Sequence, residues 1–256
     1  MLNKQSLKKK WHTCPSKINF AQFGFFILVF IGSCGNNIKK TSQLKIVSSS
    51  SYYKKQIVLN PNFTLLDIKK NIPSIVLDIR YATKNNFSGI AVYKRSQAYA
   101  RKPVVMALQK IQQSLAKQGL GLKIYDAYRP YRVTVKFWNI TPNNKKEFVA
   151  NPAKGSRHNR GCAVDITLID LKTGNELAMP TPYDSFLNMA YADYASLPKN
   201  VLKNREILQK VMTNNGFKIF KAEWWHFDFE GWEAYDLMDI EFENLEKLNP
   251  PPPIAR

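Results

Sequence analysis

The chain of 256 residues has few of the residues that most often build covalent or metal sites, with three cysteines and three histidines. Three cysteines are too few for the disulfide framework of a small secreted domain. Aromatic residues are plentiful, with 15 Phe, 12 Tyr and 5 Trp, and apolar residues make up 45% of the sequence. This composition excludes wholesale disorder and predicts a globular core.

Acidic residues are absent from the first 33 positions, which carry five lysines and then an apolar run at 23–31. The run is too short to span a bilayer comfortably and is typical of the apolar core of a signal peptide. It ends at Ile31-Gly32-Ser33-Cys34, which resembles the bacterial lipobox. We therefore expect residues 1–33 to be a lipoprotein signal peptide and Cys34 to be lipidated. The alternative is an uncleaved N-terminal anchor with an incidental cysteine.

Export changes which binding partner the positive charge indicates. Removing the five leader lysines lowers the formal charge from +19 to +14. We expect an exported protein of the periplasm or cell envelope, lipid-anchored to a membrane, with no nucleic-acid partner. A basic face beside anionic lipid or cell-wall polymer then accounts for the charge. Cys162 would be left alone, so no intramolecular disulfide is expected.

Composition also suggests the domain boundaries. Residues 34–60 are polar and rich in Lys and Ser, which predicts a tether, and residues 249–256 form a proline-rich tail. No internal repeat or second linker interrupts residues 61–248, which we interpret as one domain.

Helices and strands are predicted in an irregular order, which favours an α+β fold over a doubly wound one. The predicted helices run from Pro103 to Gly119, over 130–138, and from an N-cap at Asn200 to Gly216. The predicted strands are 75–81, 122–125, 162–168, 217–220 and 224–229.

After the leader the chain has only two histidines, His158 and His226, and both lie in polar stretches. With Asp165 they offer two imidazoles and one carboxylate, the ligand set of a catalytic zinc with one open position. Gly161 would let the backbone turn between His158 and a strand carrying Asp165. The H-E-x-x-H motif is absent, which excludes the thermolysin type of metallopeptidase. A structural role is the alternative for His158 taken alone.

Glu223 lies three residues before His226. The two would point to opposite faces of a regular strand, so we expect a bend between them if both serve the metal. A carboxylate outside the ligand set can act as a base toward metal-bound water. Arg129 could stabilise an oxyanion, an effect of about 3 kcal/mol per donor. A salt bridge at a helix start is the alternative for Arg129.

These residues lie in motifs with a family resemblance. The matching stretches are Ser156-Arg157-His158-x-x-Gly161-x-Ala163-x-Asp165, Glu223-Trp224-Trp225-His226, Asp126-Ala127-Tyr128-Arg129-Pro130 and Asp78-Ile79-Arg80-Tyr81. They resemble the D-alanyl-D-alanine dipeptidases of the vancomycin-resistance type, in the clan of D,D-carboxypeptidases and hedgehog domains. The resemblance covers about residues 74–230 and implies a small antiparallel sheet flanked by helices.

The resemblance also implies residue roles. One Zn²⁺ per chain would be held by His158, Asp165 and His226, with Glu223 as general base and acid and Arg129 at the oxyanion. Asp184 matches the position that holds the substrate ammonium. Ser156 and Tyr81 would line the pocket. The stretch 139–154 departs most from the family pattern.

The resulting expectation is a lipid-anchored zinc dipeptidase that hydrolyses D-Ala-D-Ala by Glu-assisted attack of zinc-bound water. One alternative is a D,D-carboxypeptidase acting on peptidoglycan stem peptides. The other is a non-catalytic module that binds cell wall or zinc. The presence of both Glu223 and Arg129 argues against pure binding, because binding requires neither.

Overall fold

The computed structural model describes residues 44–248. Its α-helices are α1 (Ser50–Leu59), α2 (Ile68–Asn71), α3 (Lys102–Ala116), α4 (Tyr131–Ile140), α5 (Lys199–Thr213) and α6 (Phe242–Leu248). Its strands are β1 (Ile46–Val47), β2 (Leu65–Asp67), β3 (Val76–Leu77), β4 (Tyr99–Arg101), β5 (Leu120–Asp126), β6 (Ala163–Asp170), β7 (Phe217–Ile219), β8 (His226–Phe229) and β9 (Leu237–Met238). The predicted signal peptide, Cys34 and the proline-rich tail lie outside this range. Within it, no helix combines the length and apolarity needed to cross a bilayer.

A five-stranded sheet with the order β3-β5-β6-β8-β7 forms the centre of the fold. The pairs among β5, β6, β8 and β7 are antiparallel, and helices pack around them, which confirms the α+β prediction. The predicted antiparallel sheet is present, and β3 extends it at one edge by pairing with β5 in parallel. The chain between these two strands makes a crossover that includes α3, and a crossover, unlike a hairpin, brings strands together in parallel.

The two long helices are amphipathic and bury the predicted apolar faces. In α3, Leu108, Ile111 and Leu115 are fully buried, and burying such a side chain contributes about 1.5–3 kcal/mol. Helix α5 begins one residue before the predicted cap at Asn200. Pro198 is its N-cap residue, and the carbonyl of Pro198 accepts the backbone N–H of Leu202. The fixed φ of proline suits the helix entry, and no side chain caps this helix.

The predicted tether is wrong from residue 46 onward. Strand β1 pairs in parallel with β9, and Val47 is buried in the core. Ser49 then caps α1 by accepting the backbone N–H of Tyr52, and Tyr53 on this helix is fully buried. The polar composition of this stretch gave no sign that Val47 and Tyr53 are buried in the core. The folded domain therefore begins before residue 61.

Candidate metal centre

The register of the central sheet aligns two predicted site residues, Asp165 and His226, with a third residue, Asp126. Asp126 at the end of β5 lies opposite Asp165 on β6, and Asp165 lies opposite His226 at the start of β8. An irregularity in β5 between Ile124 and Asp126 sets the last pair in register. Because directly opposite residues on a sheet point to the same face, the three side chains meet on one surface.

His158 reaches this surface from a short 3-10 helix, His158–Arg160, that precedes β6. Gly161 ends that turn with a left-handed backbone, φ 70°, and a side chain there would collide with Leu65. This position therefore requires glycine. The Ser156 hydroxyl accepts the backbone N–H of His158 at 3.2 Å, and ring atom Nδ1 lies 2.6 Å from the carbonyl oxygen of Ala127. These contacts aim the Nε2 atom of His158 at Asp165 and His226.

The three predicted metal ligands converge. His158 Nε2 lies 3.4 Å from Asp165 Oδ1 and 3.2 Å from His226 Nδ1, and His226 Nδ1 lies 3.0 Å from Asp165 Oδ1. One ligand atom from each residue fits within a span of 4.8 Å, and all three residues are buried. This cluster of imidazole and carboxylate groups could hold a metal ion.

Electrostatics also favour a cation at this point. His226 lies between two carboxylates, because its Nδ1 faces Asp165 and its Nε2 lies 2.9 Å from Asp228 Oδ1. Burial lowers the pKa of His226, but its hydrogen bonds to both carboxylates outweigh burial and raise it to about 10. Burial alone would raise the pKa of Asp165. The two histidines outweigh burial and lower that pKa far below its usual value. Metal binding can replace such a ring proton, so the donor set fits a divalent cation.

Glu223 lies beside the cluster but outside it. The expected bend is present, because Glu223 belongs to a turn before β8 and its carbonyl accepts the backbone N–H of His226. Its Oε2 lies 3.7 Å from His226 Nδ1. Burial raises the pKa of Glu223 to about 8. A carboxylate with a raised pKa beside a candidate metal site is suited to accepting and returning a proton.

Arg129 both forms an ion pair and lines the cleft. Its Nε and Nη2 lie 2.9 and 2.8 Å from Asp126 Oδ2, so it forms the ion pair expected near a helix start. Its guanidinium also lies over the Tyr81 ring at 5.0 Å, with Nη2 3.8 Å from Asp165 Oδ2. The group is nearly buried and lines the same cleft as Glu223.

This cleft has a volume of about 230 Å³, and Asp184 lies on its wall. Asp184 Oδ1 accepts a hydrogen bond from the Tyr81 hydroxyl at 3.0 Å, and Oδ2 lies 3.4 Å from the backbone N–H of Phe87. Burial, with the charge of Asp165, raises the pKa of Asp184 to about 7. Tyr81 thus contacts Asp184 directly, whereas Ser156 lines the cleft and also positions His158.

Two hydrogen bonds to the predicted ligands come from residues that the sequence analysis did not single out. Asp228 contacts His226, and strand alternation from His226 would have placed Asp228 on the same face. The Tyr183 hydroxyl donates to Asp165 Oδ2 at 2.9 Å. Tyr183 lies in an irregular segment beside Asp184, which the resemblance placed at the site, but no pattern in that segment predicts a contact with Asp165. Cys162 is buried, as expected, and burial raises the pKa of its thiol to about 12.

Comparison with known proteins decides the family. A family model described as D-ala-D-ala dipeptidase matches residues 62–244, most of the chain. The chain belongs to the D-Ala-D-Ala dipeptidase family. This confirms the resemblance that the sequence motifs carry.

Individual relatives of the dipeptidase family match over most of their length. A D-alanyl-D-alanine dipeptidase of Escherichia coli (strain K12) is 33% identical over 178 residues, which is 70% of this chain and 91% of the relative. One from Enterococcus faecium is 31% identical over 183 residues, 64% of this chain and 90% of the relative. The solved structure of the LD-carboxypeptidase LdcB matches 53% of this chain and 61% of its own, with 24% identity and a TM-score of 0.36.

Proposed function

We propose that this chain is a zinc-dependent peptidase that cleaves the D-alanyl-D-alanine dipeptide. The observation that carries the proposal is the convergence of His158, Asp165 and His226 in a cleft that also holds a separate carboxylate, Glu223. Family membership supports the peptidase class. Zinc is favoured because two imidazoles and one carboxylate leave one position open, as in hydrolytic zinc sites.

The proposed chemistry divides between the metal and the protein. A zinc ion held by His158, Asp165 and His226 would act as a Lewis acid and make water acidic near neutral pH. Glu223 would take a proton from the attacking water and return it to the leaving amine. Its raised pKa and its position outside the ligand cluster support this role. A carboxylate engaged in a metal bond would be a poorer base.

Arg129 would stabilise the oxyanion that forms on the scissile carbonyl. The ion pair with Asp126 fixes its guanidinium, and the rings of Tyr81 and Phe137 pack against it at 5.0 and 5.3 Å. A preorganised hydrogen-bond donor needs little reorganisation as negative charge develops on the oxygen. Losing one such donor typically slows turnover about 10²–10³-fold.

Asp184 would select the dipeptide by pairing with its free ammonium. Tyr81 and the Phe87 amide orient its two carboxylate oxygens on the cleft wall. A longer stem peptide carries an acylated nitrogen there and would leave the carboxylate unpaired. This contrast favours the dipeptidase over the D,D-carboxypeptidase.

Assays of the purified chain test this function. We expect hydrolysis of D-Ala-D-Ala that stops after metal removal and returns with one equivalent of Zn²⁺. N-acetyl-D-Ala-D-Ala and a tripeptide ending in D-Ala-D-Ala should be poor substrates. Hydrolysis that persists without metal would contradict the zinc mechanism. Equal rates on the dipeptide and the tripeptide would instead favour the carboxypeptidase.

We also propose that the protein works in the cell envelope as a lipoprotein, with residues 1–33 as signal peptide and Cys34 as the lipidated first residue. The lysine-rich leader, the short apolar run and the Ile31-Gly32-Ser33-Cys34 sequence support this. Mass spectrometry of the mature N-terminus tests it, and an unmodified Cys34 or another starting residue would reject it.

A further inference from the structure

His226 has two polar ring edges, and the second one is also occupied. Nδ1 faces Asp165 in the ligand cluster, whereas Nε2 on the opposite edge lies 2.9 Å from Asp228 Oδ1. Both residues belong to β8, two positions apart, so they project from the same face of the strand. Asp228 therefore lies behind the imidazole, away from the proposed metal.

Asp228 forms an ion pair of its own, with Arg157. Its Oδ2 lies 3.5 Å from Arg157 Nε, an ion pair that is longer than a direct hydrogen bond. The Arg157 guanidinium lies over the Trp232 ring at 4.7 Å, and the Arg160 guanidinium lies over the same ring at 5.2 Å. Across the ladder, Asp228 is opposite Ala163, whose small side chain leaves room for the carboxylate.

We infer that Asp228 is a positioning residue that orients His226 toward the metal, with Arg157 holding Asp228 in place. Accepting the Nε2 proton fixes the imidazole tautomer that presents the Nδ1 lone pair to the cluster. The carboxylate also makes the ring a better electron donor to a cation. Carboxylates in this outer position typically change metal affinity about 10–100-fold when they are removed.

A neighbouring carboxylate provides a matched comparison. Glu230 follows Asp228 at the same two-residue spacing, but its side chain is 58% exposed and pairs only loosely with Lys218, at 3.9 Å. It contacts none of the proposed ligands in the described part of the chain. Removing Glu230 eliminates the same charge close to the same strand without touching His226.

The inference rests on the proposed metal centre, and Zn²⁺ affinity tests it directly. The metal-free full chain is titrated with Zn²⁺ against a chromophoric chelator, in the native form and as Asp228→Ala, Asp228→Asn, Arg157→Ala and Glu230→Gln. We expect Asp228→Ala to weaken Zn²⁺ binding about 10–100-fold. Asp228→Asn should recover part of that loss, because its amide oxygen still accepts the Nε2 proton. Glu230→Gln should bind as the native chain does, and Arg157→Ala should lose less than Asp228→Ala.

A Co²⁺ spectrum separates positioning from loss of fold. The visible bands of the Co²⁺-loaded Asp228→Ala chain should shift, while the near-ultraviolet circular dichroism of its metal-free form stays native. Native affinity and native Co²⁺ bands in Asp228→Ala would overturn this inference alone. Affinity loss accompanied by a collapsed near-ultraviolet spectrum in both Asp228 variants would also overturn it. No stoichiometric Zn²⁺ binding by the native chain would overturn the proposed function as well.

Discussion

The two walls of the cleft are built differently. The metal wall takes Asp165 and His226 from adjacent strands of the central sheet, where the ladder register fixes their separation. The other wall takes Asp184 and Phe186 from irregular chain, and Phe148 from the end of the 3-10 helix Asn143–Phe148. Phe148 and Phe186 stack with ring centroids 4.8 Å apart. We call this pair the rim stack.

On the proposed function, this difference would separate chemistry from selectivity. On the metal wall a small shift would break several hydrogen bonds at once, because each ligand has a further polar partner. On the other wall the rim stack is held by ring contacts, each worth about 0.5–1.5 kcal/mol beyond burial. Phe148 also lies in the segment 139–154, which departs most from the family pattern. We therefore expect changes in the metal wall to abolish turnover and changes in the other wall to alter substrate choice.

The largest expected effect separates two residues of the metal wall. Replacing His226 with Ala should abolish stoichiometric metal binding and activity together, because one of the proposed imidazole ligands is lost. Replacing Glu223 with Gln should lower kcat about 10²–10⁴-fold, the usual contribution of a general base, while metal binding remains. Metal content and turnover measured on the same samples test both.

Equal metal loss in the two variants would contradict the assignment of Glu223 as the base. Full activity in Glu223→Gln would also contradict the assignment of Glu223 as the base. Glu230→Gln serves as the matched control, because this exposed carboxylate lies outside the cleft.

A smaller effect is expected at Asp184. Asp184→Asn removes the charge that would pair with the substrate ammonium, and a charge-assisted hydrogen bond contributes about 1.5–3 kcal/mol. The preference for D-Ala-D-Ala over its N-acetylated form should therefore fall about 10–100-fold, mainly through the dipeptide. The ratio of kcat/KM values measures this change. An unchanged ratio would remove Asp184 from the ammonium site.

The rim stack should have a weaker influence. Phe148→Ala removes one ring contact, and we expect relative activity on a tripeptide ending in D-Ala-D-Ala to rise about 2–10-fold. Metal affinity should stay native, because Phe148 contacts none of the three ligands. Leu187→Ala is the control, since Leu187 is an exposed neighbour of Phe186 outside the cleft. A tripeptide rate that does not change in Phe148→Ala would mean that the stack does not limit substrate length.

The subtlest prediction concerns pH. The pKa of Asp184 is raised to about 7 by burial and by Asp165, while the hydrogen bond from Tyr81 lowers it. Asp184 is ionised above its pKa, so capture of the ammonium should weaken as the pH falls through that value. Tyr81→Phe removes the donor, which raises the pKa of Asp184. The acidic limb of the kcat/KM ratio between D-Ala-D-Ala and its N-acetylated form, in which the titration of Glu223 cancels, should therefore move to higher pH. A limb that moves to lower pH, or does not move, would contradict the contact.

Short-range patterns made much of the metal wall predictable. His158, Gly161 and Asp165 lie within eight residues, and the turn before β6 brings them together as expected. The bend at Glu223 followed from simple strand alternation. The rest depended on long-range packing, which local composition does not encode. Tyr183 reaches Asp165 from a distant irregular segment, and Val47 belongs to a stretch that composition alone assigned to a tether.

The backbone at Asp184 has an evolutionary consequence. Among residues 44–248 it is the one non-glycine residue with a left-handed backbone, φ 61°. Asparagine and aspartate are both tolerated in that conformation, whereas most other side chains are strained there. Exchange between the two therefore carries no conformational penalty, and a single nucleotide change can accomplish it. On the proposed assignment, a lineage could loosen or restore its demand for a free amino group in one step, without straining the backbone.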